Sequence, residues 1–174
     1  MANAHRWAFL QSKRPEVRAE PACRCARSHT VRRTHERGTG ISTKQKEEIM
    51  DKIAFCGHHC GFCFYDKCPG CRSDNAFCSF ATLFEDKKCP NVKCCIEKGF
   101  DGCYECKELS ECRIGFYDTK EQVAKATALF ILKHGKNQYD ISLTRAVQSG
   151  IKYPNQFNEM DDVNKMVELL EKYL

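Results

Sequence analysis

Cysteine spacing is the feature that most limits how this chain can fold. Twelve of its fourteen cysteines fall between residues 56 and 112, and three C-x-x-C pairs occur among them. A short turn with this spacing directs two thiol groups toward one point. Such a density of cysteine needs a chemical explanation, which is disulfides, metal ions or redox chemistry.

The cellular compartment separates the disulfide from the metal explanation. The N-terminal sequence has no apolar stretch of the ~7–15 residues found in a secretory signal. Nowhere does the chain approach the ~18 uninterrupted apolar residues of a membrane span. We therefore expect a cytoplasmic protein with no membrane partner, and in a reducing compartment clustered cysteines usually bind metal.

Charge divides the chain unevenly. Residues 1–49 hold eleven Lys and Arg against five acidic residues, whereas residues 50–174 hold seventeen against eighteen. The first segment has no helical or strand periodicity and buries little apolar surface, so we expect a disordered basic segment. Because the net charge of +5 belongs to this segment, we expect no nucleic-acid partner for the remainder.

Residues 1–49 also suggest a hypothesis about where translation starts. The residues before Met50, KEEI, can be encoded by a purine-rich run that resembles a bacterial ribosome-binding site. On this hypothesis the native protein begins at Met50, the upstream residues are leader read through in frame, and Cys23 and Cys25 have no role. An Arg-rich transit peptide is the alternative interpretation.

Residues 50–117 are expected to form a small irregular Cys-rich module stabilised by metal. Turn-forming pairs such as Pro69-Gly70 recur, so long regular elements are not expected. Short helices are expected around 81–86 and 92–98, the second ending at Gly99 in a left-handed cap.

Residues 118–174 are predicted to form an α-helical C-terminal region of three helices packed on this module. Thr119 and Gln122 have the spacing of a capping box ahead of the first helix, which should end at Gly135. The second helix is expected from residue 139 to 148.

The third helix is expected to begin at Asp161 or Asp162. Its apolar residues repeat at helical spacing and predict a single buried face. They are Val163, Met166, Val167, Leu170 and Leu174.

Counting ligands limits the number of metal sites in the module. Two zinc sites are expected, and three stay open, because four cysteines complete one structural site. Cys94 and Cys95 are adjacent, so we take Cys94 as the ligand and Cys95 as a buried small side chain. His58 and His59 are alternative ligands, although we favour surface or turn positions for both.

The ordered motifs resemble a known family. The segments IAFCGHHCGFC, CPGC, CIEKGFDGCYEC and ECRIGFY are similar to those of the short bacterial and archaeal Cys-rich proteins known as domain of unknown function 3795. The resemblance covers residues 53–117 and implies a set of zinc ligands but no activity. These ligands are Cys56, Cys60, Cys63, Cys68, Cys71, Cys89, Cys94, Cys103, Cys106 and Cys112. The wider spacing of Cys106 and Cys112 departs from the family pattern, and so does Cys78.

Enzymatic alternatives are less well supported by the sequence. Cys56, Cys60 and Cys63 have the spacing of a radical-SAM cluster motif, but the 111 residues after Cys63 are too few for the barrel such enzymes need. No phosphate-binding Gly-rich loop or H-E-x-x-H motif is present. We therefore expect a structural zinc-binding protein that acts as a binding or adaptor module, with an unidentified protein as its partner. The alternative is an iron–sulfur electron carrier.

Overall fold

The computed structural model describes residues 52–74 and 76–174. The basic segment 1–49, its two cysteines and the expected start at Met50 lie outside the described residues. Within the described ranges, regular structure is helical and no strand forms, apart from one antiparallel bridge between Ile53 and His59. The expectation of short helices is therefore confirmed.

Within residues 52–74 and 76–174, the structure defines five α-helices and five short 3-10 turns. The helices are α1 (Pro90–Lys98), α2 (Val123–His134), α3 (Lys136–Gln148), α4 (Asn155–Asn158) and α5 (Val163–Glu171). The 3-10 turns are Cys60–Phe62, Ser79–Leu83, Cys103–Glu105, Leu109–Glu111 and Gly115–Asp118. No helix in the described part of the chain has the length and apolar character needed to cross a membrane.

Helix α1 ends as its sequence predicts. Gly99 follows the last helical residue with φ +67° and ψ 32°, a left-handed conformation that glycine adopts at little cost. The helix begins two residues earlier than expected because Pro90 suits the first helical position. The short helix expected around 81–86 is present as the 3-10 turn Ser79–Leu83, which begins two residues earlier and ends where the backbone becomes extended at Phe84.

Helices α2 and α3 share one boundary residue. Gly135, with φ +84°, ends α2 at the predicted position and also precedes the first residue of α3. Helix α3 therefore begins three residues before the expected position. Its last residue, Gln148, was predicted correctly.

The capping box expected before α2 does not form. The Thr119 hydroxyl donates a hydrogen bond to the Phe116 carbonyl at 3.0 Å, within the preceding 3-10 turn, and does not cap the helix. The helix consequently begins at Val123, with Gln122 as its N-terminal boundary residue. A local side chain–backbone bond has replaced the expected cap.

Helix α5 begins at the predicted cap. The Asp162 carboxylate accepts hydrogen bonds from the backbone N–H groups of Asn164 and Lys165, at 2.8 and 3.4 Å. Met166 and Leu170 are completely buried, as the apolar pattern predicts. Leu174 is not part of the buried face, because the helix ends at Glu171 and the Leu174 side chain is exposed.

Helix α2 is the element on which the others are assembled. It contacts α3 and α5, and it also contacts the three 3-10 turns between residues 103 and 118. Its residues Ala126, Ala128 and Phe130 are completely buried. The Cys-rich segment approaches α2 closely at Gly57, where an added Cβ would lie 2.7 Å from the Ala128 nitrogen. This contact fixes the position of the first cysteines relative to the helices.

Candidate metal centre

The twelve cysteines from Cys56 to Cys112 are all free thiols in the structure. Their neighbours in space divide most of them into two clusters, which we call the loop cluster and the core quartet. The loop cluster contains Cys60, Cys63, Cys68, Cys71 and Cys78. The core quartet contains Cys56, Cys89, Cys95 and Cys103.

The loop cluster is assembled from a 3-10 turn, the CPGC turn and the residue preceding a second 3-10 turn. Burial, and then the nearby thiols of Cys71, Cys68 and Cys63, together raise the pKa of the Cys60 thiol to about 12. Burial likewise raises the pKa of Cys78 to about 12, with Cys68 close enough to contribute. These couplings show that the sequence-distant thiols are neighbours.

Backbone N–H groups point at sulfur atoms of the loop cluster. The Ser79 N–H donates to Cys68 Sγ at 3.2 Å, and the Phe55 N–H donates to Cys71 Sγ at 3.4 Å. Although partial burial acts in the opposite direction, hydrogen bonds from Ser79 and from the Gly70 backbone lower the pKa of Cys68 below its ordinary value. Cys68 is therefore prepared to carry a negative charge.

A cavity of about 250 Å³ opens beside the loop cluster. Cys60 and Cys71 lie in its wall, together with the turn residues Pro69 and Gly70 and the side chain of Arg72. Two cysteines of the loop cluster thus line a space larger than a single ion.

The core quartet is more deeply buried than the loop cluster. Its four side chains are between 1% and 9% exposed, with Cys95 at 1%. The sulfur atoms of Cys95 and Cys103 are 3.5 Å apart. Burial raises the pKa of Cys56, and proximity to Cys71, Cys89 and Cys103 raises it further. Because Cys56 and Cys89 are each close to Cys71, the quartet adjoins the loop cluster.

Asn91 organises hydrogen bonds around the quartet. Its amide nitrogen donates to Cys103 Sγ at 3.8 Å and to the Ile114 carbonyl at 3.0 Å. Its amide oxygen accepts from the Phe116 N–H at 2.9 Å and from the Cys89 thiol at 3.8 Å. This completely buried amide therefore connects helix α1 to two cysteines and to the following 3-10 turn.

Cys103 is the most acidic thiol of the quartet. The hydrogen bond from the Cys95 thiol lowers the pKa of Cys103 to about 7, against the effect of burial, and the Asn91 amide acts in the same direction. The same hydrogen bond, together with burial, raises the pKa of Cys95.

Arg72 holds the CPGC turn against the CYEC turn. Its guanidinium donates to the Ile53 carbonyl at 2.5 Å, to the carbonyl and carboxylate of Asp101 at 2.6 and 3.0 Å, and to the Tyr104 hydroxyl at 2.9 Å. It also lies over the Phe55 ring, 4.6 Å from the centroid. The cation stabilises charge on Cys60 and Cys71 at the same time.

Both histidines lie in the CGHHC turn, one of the two positions expected for them; His58 is half-buried, whereas His59 is buried rather than at the surface. His59 is 1% exposed, and its Nε2 lies 3.0 Å from Asp140 Oδ1. The Tyr153 hydroxyl accepts from the His59 backbone N–H at 3.0 Å and lies 2.9 Å from His58 Nδ1. Burial lowers the pKa of His58 to about 4, so that it is neutral at pH 7.

The second nitrogen of each histidine ring is buried and has no hydrogen-bond partner among the described residues. These atoms are Nε2 of His58 and Nδ1 of His59. An unpartnered buried ring nitrogen is a chemically suitable metal ligand when its opposite nitrogen is held by a carboxylate. The alternative in which His58 or His59 replaces a cysteine ligand stays a prediction.

The ten cysteines expected as ligands are placed differently from one another. Seven belong to the two clusters just described. Cys94 is half-buried on α1, whereas Cys106 and Cys112 are half-buried at the ends of the 3-10 turns at 103–105 and 109–111. Throughout residues 52–74 and 76–174, no three His, Cys, Asp or Glu side chains are arranged to hold a metal ion as they stand.

Sequence reasoning set aside two cysteines that the structure draws into the clusters. Cys78 lies beside Cys68, and Cys95 lies beside Cys103. The expected burial of Cys95 is confirmed, but its contact with another thiol was not expected. Helical spacing carried a usable signal, because Asn91, Val92 and Cys95 share the buried face of α1.

Comparisons with known proteins identify no relatives. The sequence matches no family model, and searches of characterised proteins and of solved structures find no similar chain. The resemblance to the Cys-rich family named above therefore stays a prediction.

Proposed function

We propose that this chain is a zinc-binding protein in which cysteine thiolates of the module hold structural metal ions. The observation that carries this proposal is that two backbone N–H groups donate hydrogen bonds to cysteine sulfurs, Ser79 to Cys68 Sγ at 3.2 Å and Phe55 to Cys71 Sγ at 3.4 Å. Hydrogen bonds of this kind favour the charged form of a thiol. A buried thiolate in turn needs a cation close by, and Zn²⁺ is a common partner for such sulfurs.

The cysteines of the module are chemically suitable zinc ligands, but their sulfur atoms are not positioned around a common point. All twelve cysteines of the module are reduced, and several are buried beside other thiols. The sulfurs nevertheless do not converge on any point among the described residues. Metal binding therefore includes a movement of side chains that brings sulfurs within ~2.3 Å of the ion.

Burial in the Cys-rich module supports a structural role for the metal. Among the described residues of the module, the large apolar side chains that are completely buried are Ile53 and Leu109, whereas the others that the structure describes belong to the C-terminal helices. A segment with so small a core usually depends on additional cross-links. Structural zinc supplies ~10–16 kcal/mol of apparent binding free energy in small peptides, which is comparable to the stability of a whole domain.

An iron–sulfur protein is the second candidate, and the cavity beside the loop cluster favours keeping it. The space of about 250 Å³ next to Cys60 and Cys71 exceeds what one tetrahedral ion needs. Hydrogen bonds to sulfur also occur around iron–sulfur clusters, where they tune the reduction potential. Sulfur ligands therefore suit both zinc and an iron–sulfur cluster. The volume of the cavity is the observation that favours an iron–sulfur cluster.

A binding or adaptor role is supported by one exposed aromatic cluster. Phe64 is 65% exposed, and its ring packs edge-on against Phe80 with the centroids 5.8 Å apart. Tyr65 contacts the same ring at 6.4 Å. Exposed aromatic groups of this kind are enriched where proteins bind one another.

Metal analysis of the untagged full chain, purified without oxygen under reducing conditions, tests the proposed function. We expect about two zinc ions per chain and a colourless solution. A brown solution that contains iron and absorbs visible light supports the second candidate.

Chelation tests the structural role. Removing zinc with a chelator in the presence of a reductant should abolish the near-ultraviolet circular dichroism of the module, and adding zinc back should restore it. Protein that is purified without metal, and whose circular dichroism zinc does not change, contradicts the proposal.

A further inference from the structure

The core quartet brings together cysteines from four separate parts of the sequence. Cys56 follows the bridge residue Ile53, Cys89 precedes α1, Cys95 lies within α1, and Cys103 begins the 3-10 turn Cys103–Glu105. All four are buried. Because the interior excludes water, a charge on any of these sulfurs needs a compensating positive charge among its immediate neighbours.

Helix α1 presents its two adjacent cysteines differently. Cys95 faces the interior with Asn91 and Val92, and its sulfur lies 3.5 Å from that of Cys103. Cys94, one residue earlier, is only half-buried. Successive residues of an α-helix point about 100° apart, so one metal centre inside the fold accepts a ligand from only one of them.

The Cys95 and Cys103 sulfurs lie close to the separation of two ligands to one ion, while no third ligand side chain among the described residues converges with them as they stand. Bonds of ~2.3 Å in a tetrahedral site place neighbouring sulfurs about 3.8 Å apart. The Cys95–Cys103 distance of 3.5 Å is close to this value. Asn91 fixes the surroundings, because the same amide contacts Cys89 and Cys103. Such a partner, which orients ligands without binding metal, is typical of the environment of a metal site.

We propose that Cys56, Cys89, Cys95 and Cys103 bind one metal ion as a buried Cys₄ centre, and that Cys95 rather than Cys94 is the ligand from α1. This assignment rests on the proposed metal binding and states which cysteines carry it out. It replaces the ligand expected from the sequence with its neighbour.

Two substitutions at adjacent positions test the assignment. Cys95→Ser and Cys94→Ser change the same atom in the same helix, and zinc per chain is measured for both in the untagged full-length protein. We expect Cys95→Ser to lose about one zinc ion and Cys94→Ser to retain the wild-type content. The assignment is overturned if Cys94→Ser alone loses zinc, if both variants lose it equally, or if neither does.

A measurement on the wild-type protein covers the case in which Cys95→Ser does not fold. In cadmium-loaded protein, NMR correlation between the metal and cysteine Hβ protons identifies each ligand directly. Coupling to the Hβ protons of Cys56, Cys89, Cys95 and Cys103 from one cadmium ion is expected. Coupling to Cys94 in place of Cys95, or a Cys95–Cys103 disulfide found by mass spectrometry, overturns the assignment. Wild-type protein that binds neither metal contradicts the proposed function itself, so the two failures are distinguishable.

Discussion

His59 Nε2 and Asp140 Oδ1 lie 3.0 Å apart and join the CGHHC turn to helix α3 across 81 positions of sequence. His59 is completely buried, and its other ring nitrogen has no hydrogen-bond partner among the described residues. Asp140 therefore provides the hydrogen-bond partner of His59 Nε2. This contact is one of those that hold the Cys-rich segment against the C-terminal helices.

Replacing Asp140 should destabilise the fold according to what the new side chain offers His59. Asp140→Ala leaves both ring nitrogens buried without a partner, which should cost about 2–3 kcal/mol of unfolding free energy. Asp140→Asn retains a hydrogen-bond acceptor and should cost less than half as much. Urea unfolding at pH 7 of both variants measures the difference. Equal losses in the two variants would show that the hydrogen bond to His59 is not what Asp140 contributes.

Gly57 is the second point where the Cys-rich segment meets the helices. Its φ is +90°, and a Cβ there would lie 2.7 Å from the Ala128 nitrogen and 2.9 Å from the Ala128 Cα. Because these are backbone atoms of α2, they cannot move aside without displacing the helix. Gly57→Ala should therefore cost more than ~3 kcal/mol, since overpacking adds to the backbone strain.

Gly150→Ala is the matched control for this change. Gly150 has φ +96°, and no atom lies within 4 Å of its added Cβ. Gly150→Ala should lose only the free energy that the unfavourable φ costs an alanine, about 1–2 kcal/mol. Thermal and urea unfolding of the two variants should differ by the packing contribution. If both variants lose the same stability, the contact between Gly57 and α2 adds nothing to the cost of the unfavourable φ.

Local features of the sequence predict the helix ends well. The end of α1 at Gly99, the end of α2 at Gly135 and the Asp162 cap of α5 each depend on one residue and its immediate neighbours. Glycine at a left-handed position and a carboxylate at an N-cap act without help from distant parts of the chain. Such features are readable because their physical cause is local.

Contacts between distant residues could not be read from spacing. The Cys95–Cys103 contact depends on how α1 packs, and the burial of His59 depends on α3, which follows about eighty residues later. The capping box at Thr119 fails for a local reason instead, because the preceding 3-10 turn places the Phe116 carbonyl where the Thr119 hydroxyl can bind it. Cysteine spacing identified which residues take part, but the fold determines which of them meet.

Arg72 should not be replaceable by lysine. Its three donor nitrogens reach Ile53, Asp101 and Tyr104 together, and its side chain is 17% exposed. Lys has a single ammonium group that cannot contact all three, although it keeps the charge beside the thiols. We expect Arg72→Lys to lose about 2–3 kcal/mol in urea unfolding, because acceptors are left unsatisfied.

Arg113→Lys is the control for the Arg72 variant. Arg113 is exposed, so its change should alter stability by less than ~0.5 kcal/mol. If Arg72→Lys changes the unfolding free energy as little as Arg113→Lys does, position 72 requires a positive charge rather than the hydrogen bonds of the guanidinium group.

Glu171 should make the stability of the helical region depend on pH. Hydrogen bonds from Lys133 and His134, at 2.7 and 2.8 Å, lower the pKa of Glu171 below its ordinary value of 4.5. A carboxylate with a lowered pKa in the folded state stabilises the fold above its unfolded pKa, and this contribution disappears as the pH falls through the folded pKa. Because these groups are partly exposed, solvent screening limits the contribution to about 0.2–1 kcal/mol.

Glu171→Gln should therefore unfold more easily than wild type at pH 7, and the difference should shrink below pH ~4.5. Comparing the two proteins at each pH cancels the protonation of cysteines and any release of metal, which affect both alike. Glu168→Gln on the same helix removes an exposed carboxylate that makes no ion pair in the described part of the chain, and it should show no such pH dependence. A stability difference for Glu171→Gln that stays constant from pH 7 to pH 3 would mean that the side chain acts through packing rather than through its charge.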